Sequence, residues 1–228
     1  MKKNNIAIIL ARGGSKGIKN KNIYKVNKMP LVYWSIKSCL KANRISSVWV
    51  SSDNNKILNL SRKYGANTVK RPKSISGDYS LSEEAWRHAL IYIKNKIKNI
   101  DAVVGIQPTS PIRPPKLLND GLKKFYKEKL DSLFTSEKIS HNFVWKKSHG
   151  KFKANYNYKK RPMRQKIGKQ YVENGSIYIF NKNKFLKIRN RLFGKIGLYI
   201  MKKYHSFEVD NLDDIRLINN LKFFFNSK

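Results

Sequence analysis

The sequence predicts an α/β protein in which a mostly parallel sheet carries helices on both faces. Three short apolar runs typical of buried strands lie at residues 6–10, 47–51 and 102–106. Segments in which apolar residues recur at helical spacing lie between and after these runs. Strands that alternate with helices pair in parallel through right-handed crossovers, so helices are expected on both faces. The loops after the strands then meet at one edge, where such sheets bind ligands.

Two further strands and five helices complete the prediction. The strands are expected at residues 132–135 and 175–180. Pro30 opens the first helix, and residues 51–53 cap a second helix that Gly65 ends. The order Ser-Leu-Ser-Glu at residues 80–83 is that of a capping box and starts a third helix, which runs to the mid-90s. The remaining helices are predicted at 115–127 and 212–224.

Residues 141–171 interrupt this alternation. They are basic and aromatic, with Trp145, Phe152, Tyr156 and Tyr158, and they contain no clear helix. We interpret them as an insertion that protrudes from the domain and pairs with another subunit. Because 228 residues suit one large domain and no repeat is visible, residues 1–228 are expected to form a single domain.

The composition narrows the classes of function. The 49 Lys and Arg residues against 14 Asp and Glu give a net charge of +35, which attracts nucleic acid and anionic surfaces. The lysines are spread along the whole chain together with abundant Asn and Ile, which favours compositional drift as their cause. No nucleic-acid-binding motif is visible, so nucleic acid is not expected as a partner. A basic, non-catalytic RNA-binding protein remains an alternative.

The compartment is predicted from cysteine usage and hydropathy. The single cysteine, Cys39, excludes an internal disulfide and a cysteine-based zinc site, and its helical apolar surroundings predict a buried thiol. No apolar run approaches the roughly 20 residues of a membrane span, and the first run is too short for a signal peptide. A protein of the reducing cytoplasm, without membrane contact, is expected.

A glycine-rich loop (residues 11–22) directly follows the first predicted strand. It holds the small residues and cations that a polyphosphate requires: Gly13, Gly14, Ser15, Gly17, Arg12, Lys16, Lys19 and Lys21. Backbone amides and cations at the carboxyl end of a strand suit a triphosphate. The spacing is neither a Walker A motif nor a dinucleotide fingerprint, and the alternative is a tight turn with solvated lysines.

The scarce acidic residues cluster near the end of the chain. Glu208 and Asp210 alternate in a strand-like segment, so both carboxylates are expected on one side, where they can hold Mg²⁺, with Mn²⁺ as the alternative ion. Asp213 and Asp214 are better explained by the dipole of the helix that follows.

The other titratable residues suggest no covalent nucleophile. The four histidines have no metal-ligand spacing, and no Ser/His/Asp order with recognisable context occurs. The cationic run at residues 161–166 is either a solvated face or a guanidinium fork for a substrate carboxylate. Positioning and charge neutralisation, as in phosphoryl and nucleotidyl transfer, are the expected means of catalysis.

Several motifs occur together and in one order along nearly the whole chain. They are Ala-Arg-Gly-Gly-Ser-Lys-Gly-Ile-Lys-Asn-Lys-Asn at 11–22, Val-Ser-Ser-Asp at 50–53, Gly-Ala at 65–66, Arg-Pro at 71–72, Gln-Pro-Thr-Ser-Pro-Ile-Arg at 107–113, Arg-Gln at 164–165, Glu-Asn-Gly-Ser-Ile-Tyr-Ile at 173–179 and Glu-Val-Asp at 208–210. With these motifs the sequence resembles the acylneuraminate cytidylyltransferases, the CMP-sialic acid synthetases and their legionaminic- and pseudaminic-acid relatives.

The resemblance implies a fold, a reaction and an assembly. The fold is a Rossmann-like nucleotidyltransferase, a three-layer α/β/α sandwich with a protruding dimerisation insertion. The reaction joins CTP to a nine-carbon 2-keto sugar acid, a nonulosonic acid, and gives the CMP-sugar and pyrophosphate for surface-glycan synthesis such as that of lipopolysaccharide or capsule. The assembly is a homodimer that completes each active site across its interface.

The family's site residues are carried over to matching positions only. For the nucleotide these are Arg12, Ser15, Lys16, Lys21, Asn22, Arg71 and Ser82, beside the loop glycines Gly13 and Gly14. For the sugar they are Gln107, Arg164 and Tyr178, and for the metal Glu208 and Asp210. Catalysis is assigned to Arg12, Lys16, Lys21 and Asp210.

This chain departs from the family pattern at three places. The family often has Pro where Leu10 stands, a change that a strand end tolerates, and often has Asp where Glu208 stands. Residues 146–169, in the region that helps to select the sugar, match poorly. The Kdo cytidylyltransferases have a different first loop and rank lower. A nucleotidyltransferase acting on Kdo or on a sugar 1-phosphate is the nearer alternative function.

Overall fold

The structure, a computed structural model, describes residues 3–15, 17–139, 143–221 and 225. Within them the strands are β1 Asn5–Leu10, β2 Lys25–Val26, β3 Met29–Pro30, β4 Ser47–Ser52, β5 Asn67–Lys70, β6 Ala102–Ile106, β7 Ser132–Ile139, β8 Trp145–Ser148, β9 Lys151–Ala154, β10 Gln170–Asn181 and β11 Ile196–Met201. The helices are α1 Leu31–Leu40, α2 Asn55–Lys63, α3 Ser82–Lys94, α4 Pro115–Lys127, α5 Lys182–Ile188 and α6 Leu212–Asn220.

The central sheet confirms the predicted fold class. Its seven strands follow the order β11-β7-β10-β6-β1-β4-β5. All neighbouring pairs are parallel except those of β10, which runs antiparallel to both β6 and β7. The sheet is therefore mostly parallel, as the strand–helix alternation predicts.

Residues of β1 alternate between two apolar layers, which makes this strand the centre of the core. Ala7 and Ile9 join a buried cluster with side chains of α1, α2 and α4. Ile6 and Ile8 join a second buried cluster with side chains of α3 and α5. Successive side chains of a strand point to opposite faces, so helices cover both sides of the sheet in three layers.

The register of the central strands brings three loops together. Ile9 of β1 lies opposite Val50 of β4 and Ile106 of β6. Because the three strands are parallel, their carboxyl ends lie at one edge of the sheet. The glycine-rich loop, the turn after β4 and the loop that begins at Gln107 all leave from this edge, where an α/β sheet binds its ligands.

The predicted helix caps are corrected at two positions. The side chain of Asn54, not residues 51–53, caps α2 by accepting hydrogen bonds from Lys56 N and Ile57 N. No capping box forms at residues 80–83, because α3 begins at Ser82 and the Ser80 hydroxyl accepts the Gly77 N–H instead. A capping box does join Asn211 to Asp214 at the start of α6. This agrees with the prediction that Asp213 and Asp214 stabilise the N-terminus of that helix.

The structure also holds elements that the sequence patterns did not predict. Among them are β5, α5, β11, the small β2–β3 ribbon and the β8–β9 hairpin. β10 starts five residues earlier than predicted, at Gln170 rather than Gly175, and its register with β7 shifts between Glu173 and Tyr178. α6 ends at Asn220, and residues 222–224 of its predicted range lie outside the described residues.

The predicted insertion at 141–171 contains an exposed hairpin. β8 and β9 pair antiparallel with each other, and their side chains are almost all exposed. Residues 140–142 lie outside the described part of the chain. Two short 3-10 helices, Tyr158–Lys160 and Arg164–Lys166, follow the hairpin, and no α-helix occurs among the described residues of this segment. Its protrusion stays a prediction, and its pairing with another subunit is addressed below as a proposal. No described helix has the length and apolar character that a membrane span needs.

Candidate active site

The glycine-rich loop is fixed at several points along its length. The Gly13 N–H donates to Asp53 Oδ1 at 2.8 Å, and Asn22 Nδ2 donates to the carbonyl of Arg12 at 2.8 Å. A Cβ added to Gly17 would lie 2.3 Å from the carbonyl oxygen of Asp210. Only glycine permits this approach, so the loop requires glycine at this position to meet the late acidic segment.

A cavity of about 520 Å³ opens where the three loops meet. Eight of the residues predicted for the site line it together: Arg12, Ser15, Lys21, Asn22, Arg71, Ser82, Gln107 and Asp210. They come from β1's loop, the end of β5, the start of α3, the loop after β6 and the segment before α6. Residues separated by nearly 200 positions in sequence thus share one cavity, which is what a nucleotide-sized ligand requires.

Other predicted site residues lie elsewhere or outside the description. Gly13 and Gly14 do not line the cavity, and the Gly13 amide already donates to Asp53. Lys16 lies outside the described residues. Arg164 belongs to a short 3-10 helix, Arg164–Lys166, but its side chain is outside the description.

Tyr178, for which the resemblance implies a substrate contact, is not among the residues that line the cavity. Its side chain is buried, and its hydroxyl donates to Glu173 Oε1. The Arg191 guanidinium lies over its ring at 4.8 Å, and burial together with Glu173 raises the pKa of the phenol far above its usual value. The sequence motif therefore marks a core tyrosine that holds Glu173.

Lys21 joins the loop to the late acidic segment. Its Nζ lies 3.0 Å from Asp210 Oδ1 and 2.9 Å from the carbonyl oxygen of Val209. The Val209 N–H donates to the carbonyl of Thr109 at 2.8 Å. Residues 207–210 form no strand, so these contacts, rather than a sheet, place the Asp210 carboxylate at the cavity.

Glu208 lies close to Gln107. A Cβ added to Gly175 would lie 2.9 Å from Glu208 Oε1 and 3.4 Å from Gln107 Oε1, so both side chains face the left-handed backbone of Gly175. Burial and the charge of Asp210 raise the pKa of the Glu208 carboxyl above its usual value, although Lys21 and Arg113 oppose the shift. Asp210 lines the cavity, whereas Glu208 does not.

This pair of carboxylates fits a hard divalent cation. Two like charges near each other are relieved by a cation, and Mg²⁺ takes oxygen ligands while keeping several waters. Among the described residues, no group of three or more His, Cys, Asp or Glu side chains could hold a metal. A cation held by Glu208 and Asp210 would take its further oxygen ligands from phosphate and water.

Arg71 is a buried cation without a complete set of partners. Its side chain is only 5% exposed, and its Nε and Nη2 atoms have no hydrogen-bond partner within the described part of the chain. Burial lowers the pKa of the guanidinium, Asp53 opposes this shift, and Arg12 adds to it. A buried guanidinium with unused donors is costly unless an anion completes it, so Arg71 marks the cavity as an anion site.

Arg12 and Arg113 are satisfied, in contrast to Arg71. Arg12 Nη1 donates to the carbonyl of Gly77 and pairs with Asp78, both at 2.9 Å. Arg113 donates to the side-chain oxygens of Ser35 and Ser176 and to the carbonyls of Gln107 and Ser176. Burial lowers the pKa of Arg113 to about 10, and its contact with the Gln107 carbonyl fixes the start of the loop after β6.

Sequence reasoning did not assign three of these residues to the site. Asp53 was interpreted as part of a helix cap, Arg113 was only a motif position, and Asp78 was not singled out. Asp53 could have been found from its place directly after a strand. The carboxylate of Asp78 lies in a polar turn and gives no comparable signal.

A three-layer α/β fold whose parallel strands end at a cationic cavity is typical of nucleotide-binding proteins. The family model described as "Cytidylyltransferase" matches residues 6–224, so the chain belongs to the cytidylyltransferase family.

Individual relatives agree with this family. N-acylneuraminate cytidylyltransferase A of Danio rerio is 35% identical over 209 residues, which cover 90% of this chain and 47% of that protein. CMP-N,N′-diacetyllegionaminic acid synthase of Campylobacter jejuni is 28% identical over 230 residues, covering 95% of this chain and 94% of that protein. This chain thus spans about half of the first relative and nearly all of the second.

A solved structure agrees in fold. CMP:2-keto-3-deoxy-manno-octonic acid synthetase, solved in complex with CTP, superimposes with a TM-score of 0.71 at 14% identity. The match covers 97% of this chain and 99% of that one. At this identity the likeness concerns the fold alone.

Proposed function

We propose that this protein transfers the cytidylyl group of CTP to a nonulosonic acid and releases pyrophosphate. The observation that carries the proposal is Arg71, a buried cation with unpartnered donors that lines the same cavity as Arg12, Lys21 and Asp210. The names of the relatives from Danio rerio and Campylobacter jejuni support the choice of a sialic-type acid. The CMP-sugar would serve surface-glycan synthesis in the cytoplasm.

The proposal gives each side chain a role. The glycine-rich loop binds the triphosphate of CTP, and Lys16 and Lys21 neutralise its charge. The residues that bind CTP as a whole are Arg12, Ser15, Lys16, Lys21, Asn22, Arg71 and Ser82. Gly13 and Gly14 act through loop shape, since the Gly13 amide is already used by Asp53. The sugar acid is bound by Gln107 and, at its carboxylate, by Arg164, while Tyr178 acts only through Glu173.

In the proposed reaction the anomeric hydroxyl oxygen of the sugar acid attacks the α-phosphorus of CTP. The new O–P bond forms as the bond to the bridging oxygen breaks, pyrophosphate leaves with that electron pair, and the hydroxyl proton passes to water. Arg12, Lys16 and Lys21 neutralise the charge that grows on the leaving oxygens. Mg²⁺ or Mn²⁺, when held by Glu208 and Asp210, would stabilise the same charge.

We also propose that the chain acts as a homodimer through the segment at 141–171. Large apolar side chains stand exposed on it, including Trp145, Phe152, Tyr158 and Met163. Exposed apolar groups that cluster on one protrusion favour an interface. Light scattering after size exclusion is expected to give twice the 26.6 kDa mass of the chain. Monomers at micromolar concentration would contradict the dimer.

The reaction is tested by its products. The pure protein is incubated with Mg²⁺, each of the four NTPs and a panel of sialic, legionaminic and pseudaminic acids, Kdo and sugar 1-phosphates. We expect pyrophosphate release and a CMP-linked nonulosonate, identified by mass spectrometry, with CTP only. Turnover of Kdo or of a sugar 1-phosphate would replace the proposed substrate. Tight RNA binding without any turnover would favour a non-catalytic RNA-binding protein instead.

The Lys21→Ala variant tests the position of the triphosphate. Lys21 lines the cavity, so removal of its charge is expected to raise the KM for CTP by about 10-fold or more, the scale of one charge-assisted hydrogen bond, and to slow turnover. Lys19, an exposed lysine of the same loop that does not line the cavity, supplies the matched control. Equal responses to Lys21→Ala and Lys19→Ala would mean that general loop charge, and not this contact, attracts CTP.

A further inference from the structure

The turn after β4 lies between the two cationic parts of the cavity. On one side the Ala11 N–H donates to the carbonyl of Ser51 at 3.0 Å, which attaches the start of the glycine-rich loop. On the other side the Arg71 N–H donates to the carbonyl of Ser52 at 2.8 Å. The next residue, Asp53, is therefore close to both the loop and Arg71.

The Asp53 carboxylate makes one contact with the loop and acts by charge on Arg71. Its Oδ1 accepts the Gly13 N–H at 2.8 Å, and its charge opposes the loss of the proton from the Arg71 guanidinium. Asn54, and not Asp53, caps α2, so the carboxylate is not required for that helix. A hydrogen bond from an amide to a charged acceptor is stronger than a neutral one and holds the loop in one position.

We propose that Asp53 is a positioning residue of the CTP site: it fixes the glycine-rich loop at Gly13 and so aligns that loop with Arg71 across the cavity. This inference rests on the proposed function, because it assumes that the cavity binds CTP. Asp53 does not line the cavity and is not expected to touch the nucleotide. Its negative charge would repel the triphosphate if it did.

The position of the carboxylate and its charge can be separated by substitution. Asp53→Asn keeps an Oδ1 acceptor for the Gly13 N–H but removes the charge. Asp53→Glu keeps the charge but moves the acceptor by one methylene, and Asp53→Ala removes both. If position decides, Asn retains CTP binding while Glu and Ala lose it.

Asp101 offers a matched control, because it binds the chain just before β1 whereas Asp53 binds it just after β1. Its Oδ2 accepts the N–H of Asn4, just before β1, at 2.8 Å, the same distance as the hydrogen bond after β1. Asp101→Ala therefore removes an equivalent hydrogen bond of β1 far from the cavity. It reports how much CTP binding suffers from reduced stability alone.

The experiment measures CTP binding by calorimetry and amide hydrogen exchange in the peptide that contains Gly13. We expect Asp53→Ala and Asp53→Glu to weaken CTP binding by about 10-fold or more and to speed exchange in that peptide. Asp53→Asn is expected to stay within about threefold of the wild type, and Asp101→Ala to bind CTP as the wild type does.

Several outcomes would overturn the inference. If Asp53→Ala bound CTP as tightly as the wild type, the position of the Asp53 carboxylate would have no role in CTP binding. If the alanine variant does not fold, wild-type CTP affinity in Asp53→Glu leads to the same conclusion. If Asp101→Ala weakened CTP binding as much as Asp53→Ala, the loss of binding would be explained by lower protein stability alone. A wild-type protein that binds no CTP would instead overturn the proposed function. Unchanged exchange at Gly13 in both Asp53→Ala and Asp53→Glu would overturn the positioning role independently of any nucleotide.

Discussion

Asp210→Ala is expected to lower kcat by about 1,000-fold or more while the protein stays folded. The carboxylate faces the cavity from a segment that Lys21 holds at 3.0 Å, and with Glu208 it is the proposed ligand of the divalent ion. Removing one ligand from such an ion takes away several kcal/mol of charge stabilisation in the transition state, since the remaining glutamate binds alone. The measurement is pyrophosphate release under saturating CTP and sugar acid.

Folding should tolerate this substitution because the Asp210 side chain is 67% exposed. Asp213, three residues further on, is the matched control: its side chain is 84% exposed and pairs with Arg216 at the start of α6. We expect Asp213→Ala to keep near-wild-type turnover, with at most a small decrease in helix stability. Turnover retained by Asp210→Ala, or abolished equally in both variants, would remove the metal assignment.

Much of the fold could be predicted because its central strands are buried on both faces. β1 after Asn5 and the whole of β6 are continuous apolar runs, a pattern typical of strands that are buried on both faces of a parallel sheet. β5 was missed because its four residues include only one buried side chain, Val69. β11 lies at the sheet edge with a half-exposed pattern, so its sequence carries little periodic signal.

The sequence predicted which residues lie at the cavity better than it predicted which hydrogen bonds they form. The resemblance assigned Arg12 and Arg71 to the nucleotide and Gln107 to the sugar acid, and the described structure brings all three to one cavity. Hydrogen-bond partners depend on distances between loops that a linear pattern does not encode. For this reason Asp53 was predicted as a cap, and the burial of Tyr178 in the core was not foreseen.

Arg71→Met is expected to raise the dissociation constant for CTP by about 100-fold, the scale of removing one buried charge-assisted hydrogen bond, without lowering the stability of the free protein. The side chain is buried with unpartnered Nε and Nη2 atoms, so the free protein bears the cost of an incompletely satisfied charge. An apolar side chain of similar length removes that cost, as replacement of buried charges often does. Thermal unfolding and calorimetry measure the two effects separately.

Arg113→Met supplies the opposite case. Arg113 is also buried, but each of its three guanidinium nitrogens donates to a protein oxygen of Ser35, Ser176 or Gln107. Its removal leaves those oxygens unpaired and is expected to lower the free energy of unfolding by about 3 kcal/mol or more. If Arg71 serves to bind CTP, the melting temperature of Arg71→Met should equal or exceed that of the wild type. Addition of CTP should then no longer raise the melting temperature of this variant. If the melting temperature of Arg71→Met falls as far as that of Arg113→Met, Arg71 stabilises the fold. The main argument that the cavity binds an anion would then fail.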